Sequence, residues 1–182
     1  GLEGIVDGSA QRLIAQAGFA VDARASFLSI DGDTLWTGDF VGPKHHAALH
    51  HRFANMHTAA WATAYDVDDE GVPRGTAKYQ VSGTRVYAPS RVLGLPEHVQ
   101  GMVVCGDIVA LSRSWSHQDS TLEFHRMVAT TMMDVQLPEG VATGRVLGEQ
   151  SRIMSLPMPA GSQDLSWDGR QLLVTFEGAH RR

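Results

Sequence analysis

From Gly75 onward the chain offers one short apolar stretch after another, and no stretch long enough for a helix separates them. Runs of this length, bounded by glycine, proline and aspartate, read as β-strands. The candidates are residues 76–87, 102–104, 107–115, 121–132 and 141–154. Pro89, Gly94 and Pro96 mark a loop between the first two. In 121–132, Leu122, Phe124 and Val128 alternate with Glu123, His125 and Met127, so one face of that strand is expected to be buried. Residues 156–165 carry Pro157 and Pro159 and read as loop. Residues 166–176 form a hairpin around Trp167, Asp168, Gly169 and Arg170. Whatever precedes Gly75, the second half of the chain demands a sheet.

The first half decides what that sheet wraps. Ser9 followed by residues 10–17 and Gly18 reads as a short capped helix. Residues 21–30 and 34–40 are strand-like and flank Asp31, Gly32 and Asp33, a strong hairpin signal. Residues 53–65 are rich in alanine and lack glycine and proline, which reads as a buried helix. Asp68, Asp69, Glu70 and Gly71 form a polar turn after it. A hairpin, one apolar helix and then antiparallel strands give an α+β domain with the sheet around the helix. A strand at 53–65 would instead give a β-barrel of the lipocalin or cyclase kind, with Tyr65, Asp66, Gly71, Gly75 and Thr76 in a barrel hairpin.

At 182 residues the chain fits one domain, with a core over about 20–154 and an extension over 155–182. Fifteen basic against 20 acidic residues, net −5 with no basic cluster, argue against a nucleic-acid partner. The apolar runs are too short to cross a bilayer. Cys105 is the sole cysteine, which excludes an intrachain disulfide and multi-cysteine metal sites, and with no signal peptide at its start the chain is expected in the cytoplasm. Cys105 itself reads as a small buried residue, and Asp107 as a turn residue.

Five of the nine histidines, His45, His46, His50, His51 and His57, fall within thirteen residues. On one continuous helix His46, His50, Phe53 and His57 would share an arc of roughly 60° at about 100° per residue. His46 and His50 then have the spacing of helical zinc ligands. No carboxylate lies close in sequence to support such a site, so no metal is assigned.

This order of elements resembles the hotdog superfamily of acyl-thioester enzymes over roughly residues 20–150. The likeness is carried by Gly106 and Asp107 opening the run Ile108, Val109, Ala110, Leu111, by residues 122–130, and by Val141, Ala142, Thr143 and Gly144. Within it the chain is most similar to FcoT-like long-chain acyl-CoA thioesterases. That likeness adds Val21, Asp22 and Ala23, then Gly38, Asp39 and Phe40, then Phe53, Asn55, Ala64 and Tyr65, and finally Arg113, Ser114 and Trp115. The family's site tyrosines have no counterpart, and histidines stand before Phe53 instead. The resemblance implies hydrolysis of an acyl-CoA or acyl-carrier-protein thioester without a cofactor, by a homodimer or higher homo-oligomer. Dehydration or hydration on the same carrier is the alternative. The resemblance also implies that 45–52 is a loop and that the helix starts near Phe53, its free N–H groups facing a thioester carbonyl and a histidine acting as general base. The site would comprise His50, His51, Asn55 and His57 as catalytic groups and Phe53, Trp61, Met127 and Met132 as the acyl-binding walls.

Overall fold

A computed structural model describes residues 18–23, 25–41, 53–81, 83–115, 118–138 and 140–177. Its strands are β1 (Phe27–Asp31), β2 (Thr34–Gly38), β3 (Ala60–Asp66), β4 (Lys78–Val81), β5 (Thr84–Tyr87), β6 (Arg91–Leu95) and β7 (Val99–Cys105). The remainder are β8 (Ile108–Arg113), β9 (Ser120–Arg126), β10 (Met133–Leu137), β11 (Gly140–Val146), β12 (Arg152–Met158), β13 (Ser162–Trp167) and β14 (Leu172–Phe176). A six-stranded sheet runs β1-β2-β3-β6-β11-β10 and a four-stranded one β12-β9-β8-β7, with the hairpins β4-β5 and β13-β14 beside them. The main apolar core lies where Phe27, Trp36 and Leu93 of the first sheet meet Met102, Val104, Val109 and Leu111 of the second.

The α+β hotdog architecture is overturned at its defining element. Residues 60–66 form the central strand β3, not a helix, and the only helical pieces among the described residues are 3-10 turns at Ala54–Met56, Met127–Ala129 and Glu149–Ser151. The physical reason lies in an alternation of size. Ala60, Ala62 and Ala64 alternate with Trp61, Thr63 and Tyr65, a strand's period of two. Both faces of β3 are buried from Ala60 to Tyr65. The usual exchange of apolar for polar residues is therefore absent, and the alanines alone imitate a helix. Ladders on both sides fix the strand, with Ala64 opposite Trp36 of β2 and Arg91 of β6. Side chains registered with Ala62 and Ala64 face the second sheet. Trp61 and Tyr65 point the other way, where Phe53 meets Trp61 edge-on at 5.1 Å and Phe19 meets Tyr65 at 5.9 Å.

The turn at Gly32 and the hairpins β1-β2 and β13-β14 follow the sequence reading. Residues 89–96 do not. Arg91–Leu95 is β6, hydrogen-bonded to β3 on one side and, in parallel, to β11 on the other. Its two prolines stand just outside the strand ends, where they remove no ladder hydrogen bond. Pro157 lies within β12, an edge strand bonded only to β9, which tolerates it for the same reason. Met102 and Val104 face the first sheet while Val103 faces β13-β14, so β7 too is covered on both sides. Gly101 permits this cover, because a Cβ there would stand 2.6 Å from Cα of Asp164.

Side chains stitch the two sheets together along the edges of β1 and β7. Ser29 Oγ accepts the Val104 N–H at 3.0 Å, and Asp31 Oδ2 accepts the Gly106 N–H at 3.1 Å. The result is a sandwich rolled toward a barrel and closed on that seam. At the opposite edges, 3-10 turns lead from β9 to β10 and from β11 to β12.

Candidate ligand cleft

On the sheet face that looks inward, Trp36, Arg91, Leu93, Thr143 and Arg145 lie side by side across β2, β6 and β11. The turn Gly106–Asp107 and the segment containing Met127, Val128 and Met132 stand over them. Between lies a cleft of about 420 Å³, within the range that takes a small organic ligand. Trp36 is 3% exposed and forms part of its lining, with the Arg91 guanidinium carbon 5.4 Å from its ring centroid. Val128 and Met132 are 68% and 62% exposed, which leaves them available to a ligand.

The rim is held by hydrogen bonds. Asp107 accepts twice, its carbonyl from the Met127 N–H at 2.8 Å and its carboxylate from the Val128 N–H at 2.7 Å. Arg145 Nη1 donates to the Met127 and Thr130 carbonyls at 2.9 and 2.7 Å and to the Thr130 hydroxyl at 3.1 Å. These bonds bind the Met127–Ala129 turn to both sheets and fix the shape of the mouth. Arg91 is neutralised by Asp66 at 2.8 Å, whereas Arg145 has no carboxylate partner among the described residues.

Of the described residues expected to form an active site, Met127 and Met132 alone line this cleft. Phe53 and Trp61 pack against each other on the outward face of the six-stranded sheet. Asn55 is exposed and donates from Nδ2 to the Asp134 carbonyl at 3.1 Å. His57 is exposed in a left-handed conformation, φ 49°. The helix start that was to present N–H groups near Phe53 is a single 3-10 turn. His50 and His51, with His45 and His46, lie outside the described residues. Among the described residues no three His, Cys, Asp or Glu side chains gather as a metal site would require. Cys105, expected to be buried, is exposed, and Asp107 is the turn residue expected of it.

A second polar group was missed by sequence reasoning altogether. Glu123 and His125 of β9 face the interior, 3% and 2% exposed, although Leu122 and Phe124 mark the other face as the apolar one. Glu123 Oε1 takes Arg113 Nη1 at 2.7 Å and Arg152 Nη1 at 3.5 Å, while Oε2 lies 3.3 Å from His125 Nε2. His125 Nδ1 lies 3.0 Å from the Ser151 hydroxyl. Burial pushes the Glu123 carboxyl up, but the hydrogen bond from His125 and the Arg113 charge outweigh it and hold the group at about 2. An ionised carboxylate only accepts, so Nε2 carries the imidazole proton that faces it. The array has the residue types of a serine hydrolase triad. Ser151 is 1% exposed, however, and neither it nor His125 lines the cleft. It is a buried ion network that ties β8, β9 and β12 together. The signal for it was a Glu-x-His pair one strand period apart, on the face opposite Leu122.

Comparison with protein-family models, with curated proteins and with solved structures returned no match to this chain. No helix among the described residues is long and apolar enough to cross a membrane.

Proposed function

We propose that the chain binds a small apolar molecule in the cleft between its two sheets, as a barrel-like binding module does. The observation that carries this reading is the pairing of a roomy cleft with a fixed rim. About 420 Å³ of space lies over Trp36 and Leu93, and the backbone that carries Met127 and Val128 above it is held in place by Arg145 and Asp107. Removing apolar ligand surface from water drives such binding, and a rim already ordered lowers its entropic cost. Strand β3 at residues 60–66 supports the barrel-like architecture over a sheet around a helix. The inward groups of the cleft are indole, aliphatic and guanidinium, a lining suited to holding a ligand.

The test is a fluorescence titration with N-phenyl-1-naphthylamine, a neutral dye that brightens in apolar surroundings. Wild-type protein is expected to bind it saturably with a dissociation constant in the micromolar range. Thr143→Trp, which adds an indole at an exposed position of the lining, is expected to abolish that signal without loss of fold. Equal binding by wild type and Thr143→Trp would place the dye elsewhere and refute the cleft.

A further inference from the structure

The cleft contains a cation that the fold uses but does not neutralise. Arg145 is half-buried, and its Nη1 is satisfied by two carbonyls and a hydroxyl, all uncharged. No hydrogen bond to Nε or Nη2 is present among the described residues, and no carboxylate forms an ion pair with the group. The other arginine of the cleft differs on this point, since Arg91 meets Asp66 at 2.8 Å and Thr34 at 2.7 Å. Partial burial strengthens the field of an unpaired guanidinium, and its planar fork offers two parallel donors to an oxyacid. One nitrogen is already anchored, so little side-chain freedom remains to be lost when an anion arrives.

Resting on the reading of the cleft as a binding site for an apolar molecule, we infer that this molecule is an amphiphile with a carboxylate head. The carboxylate pairs with the free donors of Arg145, and the apolar tail lies along Leu93, Met127 and Met132. Asp107, which bonds the same Met127–Ala129 turn from the Gly106 side, carries the only carboxylate of the lining. It is partly offset by Arg126 at 3.8 Å and opposes a second anion, which orients the head away from the Gly106 turn.

The inference is tested on the intact protein by displacement of bound N-phenyl-1-naphthylamine with decanoate, 1-decanol and decylamine, which share a tail and differ in head group. Decanoate is expected to compete about tenfold better than decanol, with decylamine weakest, and the advantage is expected to shrink at high salt. Arg145→Gln is expected to bring decanoate down to the level of decanol. Asp107→Asn keeps the oxygen that accepts the Val128 N–H and removes the opposing charge, and it is expected to raise the ratio of decanoate to decanol affinity above the wild-type value. The wild-type comparison stands even if Arg145→Gln loosens the rim. Equal competition by decanoate and decanol in the wild type would overturn the anionic head while leaving an apolar site in place. Failure of the dye and all three amphiphiles to bind would overturn both readings.

Discussion

Arg145 on β11 and Thr130 after β9 are joined by two hydrogen bonds from one nitrogen, 2.7 Å to the carbonyl and 3.1 Å to the hydroxyl. The Thr130 hydroxyl also donates to the Met127 carbonyl at 2.6 Å, so one small side chain closes the rim of the cleft. Thr130→Val keeps the shape and removes the hydroxyl. The loss is expected to be about 1 kcal/mol, a fall in Tm of about 3 °C by calorimetry for a domain of this size. Dye affinity is expected to fall with it, because the Met127 wall is less ordered.

Glu123 is the buried carboxylate on which Arg113, Arg152 and His125 converge, so Glu123→Gln leaves the half-buried Arg113 guanidinium without its anion and weakens the hydrogen bond to His125. A loss on the order of 3 kcal/mol is expected in urea unfolding at neutral pH. The acid profile gives an independent check. The folded carboxyl is held at about 2 against an ordinary value of 4.5, so its contribution is complete above about 4.5 and is lost as the pH falls toward 2. Wild-type stability is expected to drop across that window, and Glu123→Gln is expected to drop less steeply there.

Gly101 lies directly beneath the β13 backbone, where an added Cβ would stand 2.6 Å from Asp164 Cα and 2.7 Å from the Gln163 carbonyl oxygen. Neither atom belongs to a flexible side chain. Gly101→Ala is expected to lift the β13-β14 hairpin and cost about 2 kcal/mol, read as a lower Tm and faster proteolysis within residues 162–176.

Much of the sheet was legible because turn chemistry is local. Asp31, Gly32 and Asp33 required a hairpin, and so did Asp168 and Gly169. Strands buried on both faces were the hard cases. At 60–66 the pattern is small against large, and alanine carries a strong helix preference that neighbouring ladders override. At 91–95 proline and glycine suggested a loop, although both prolines fall beyond the strand and Gly94 sits where Thr58 and Val146 crowd in. For the site, Met127 and Met132 were named as apolar walls for an acyl chain on the hotdog resemblance, and they line the cleft although that architecture does not hold. Arg91 and Arg145 were not, since only the parallel pairing of β6 with β11 brings them together.

Asn55 and His57 stand away from the cleft lining, so Asn55→Ala and His57→Ala are expected to leave dye binding unchanged. A loss of affinity in either, measured by the same titration, would mean that the binding surface extends to the turn at Ala54–Met56.

The most direct test of the cleft uses the seven methionines as reporters. With ¹³C-methyl methionine in the protein, N-phenyl-1-naphthylamine is titrated and the methyl resonances are followed. Met127 and Met132 are expected to shift saturably, while Met154 and Met158, on the edge strand β12 of the other sheet, are expected to stay in place. Saturable shifts at Met154 or Met158 with none at Met127 and Met132 would contradict a ligand site between the sheets.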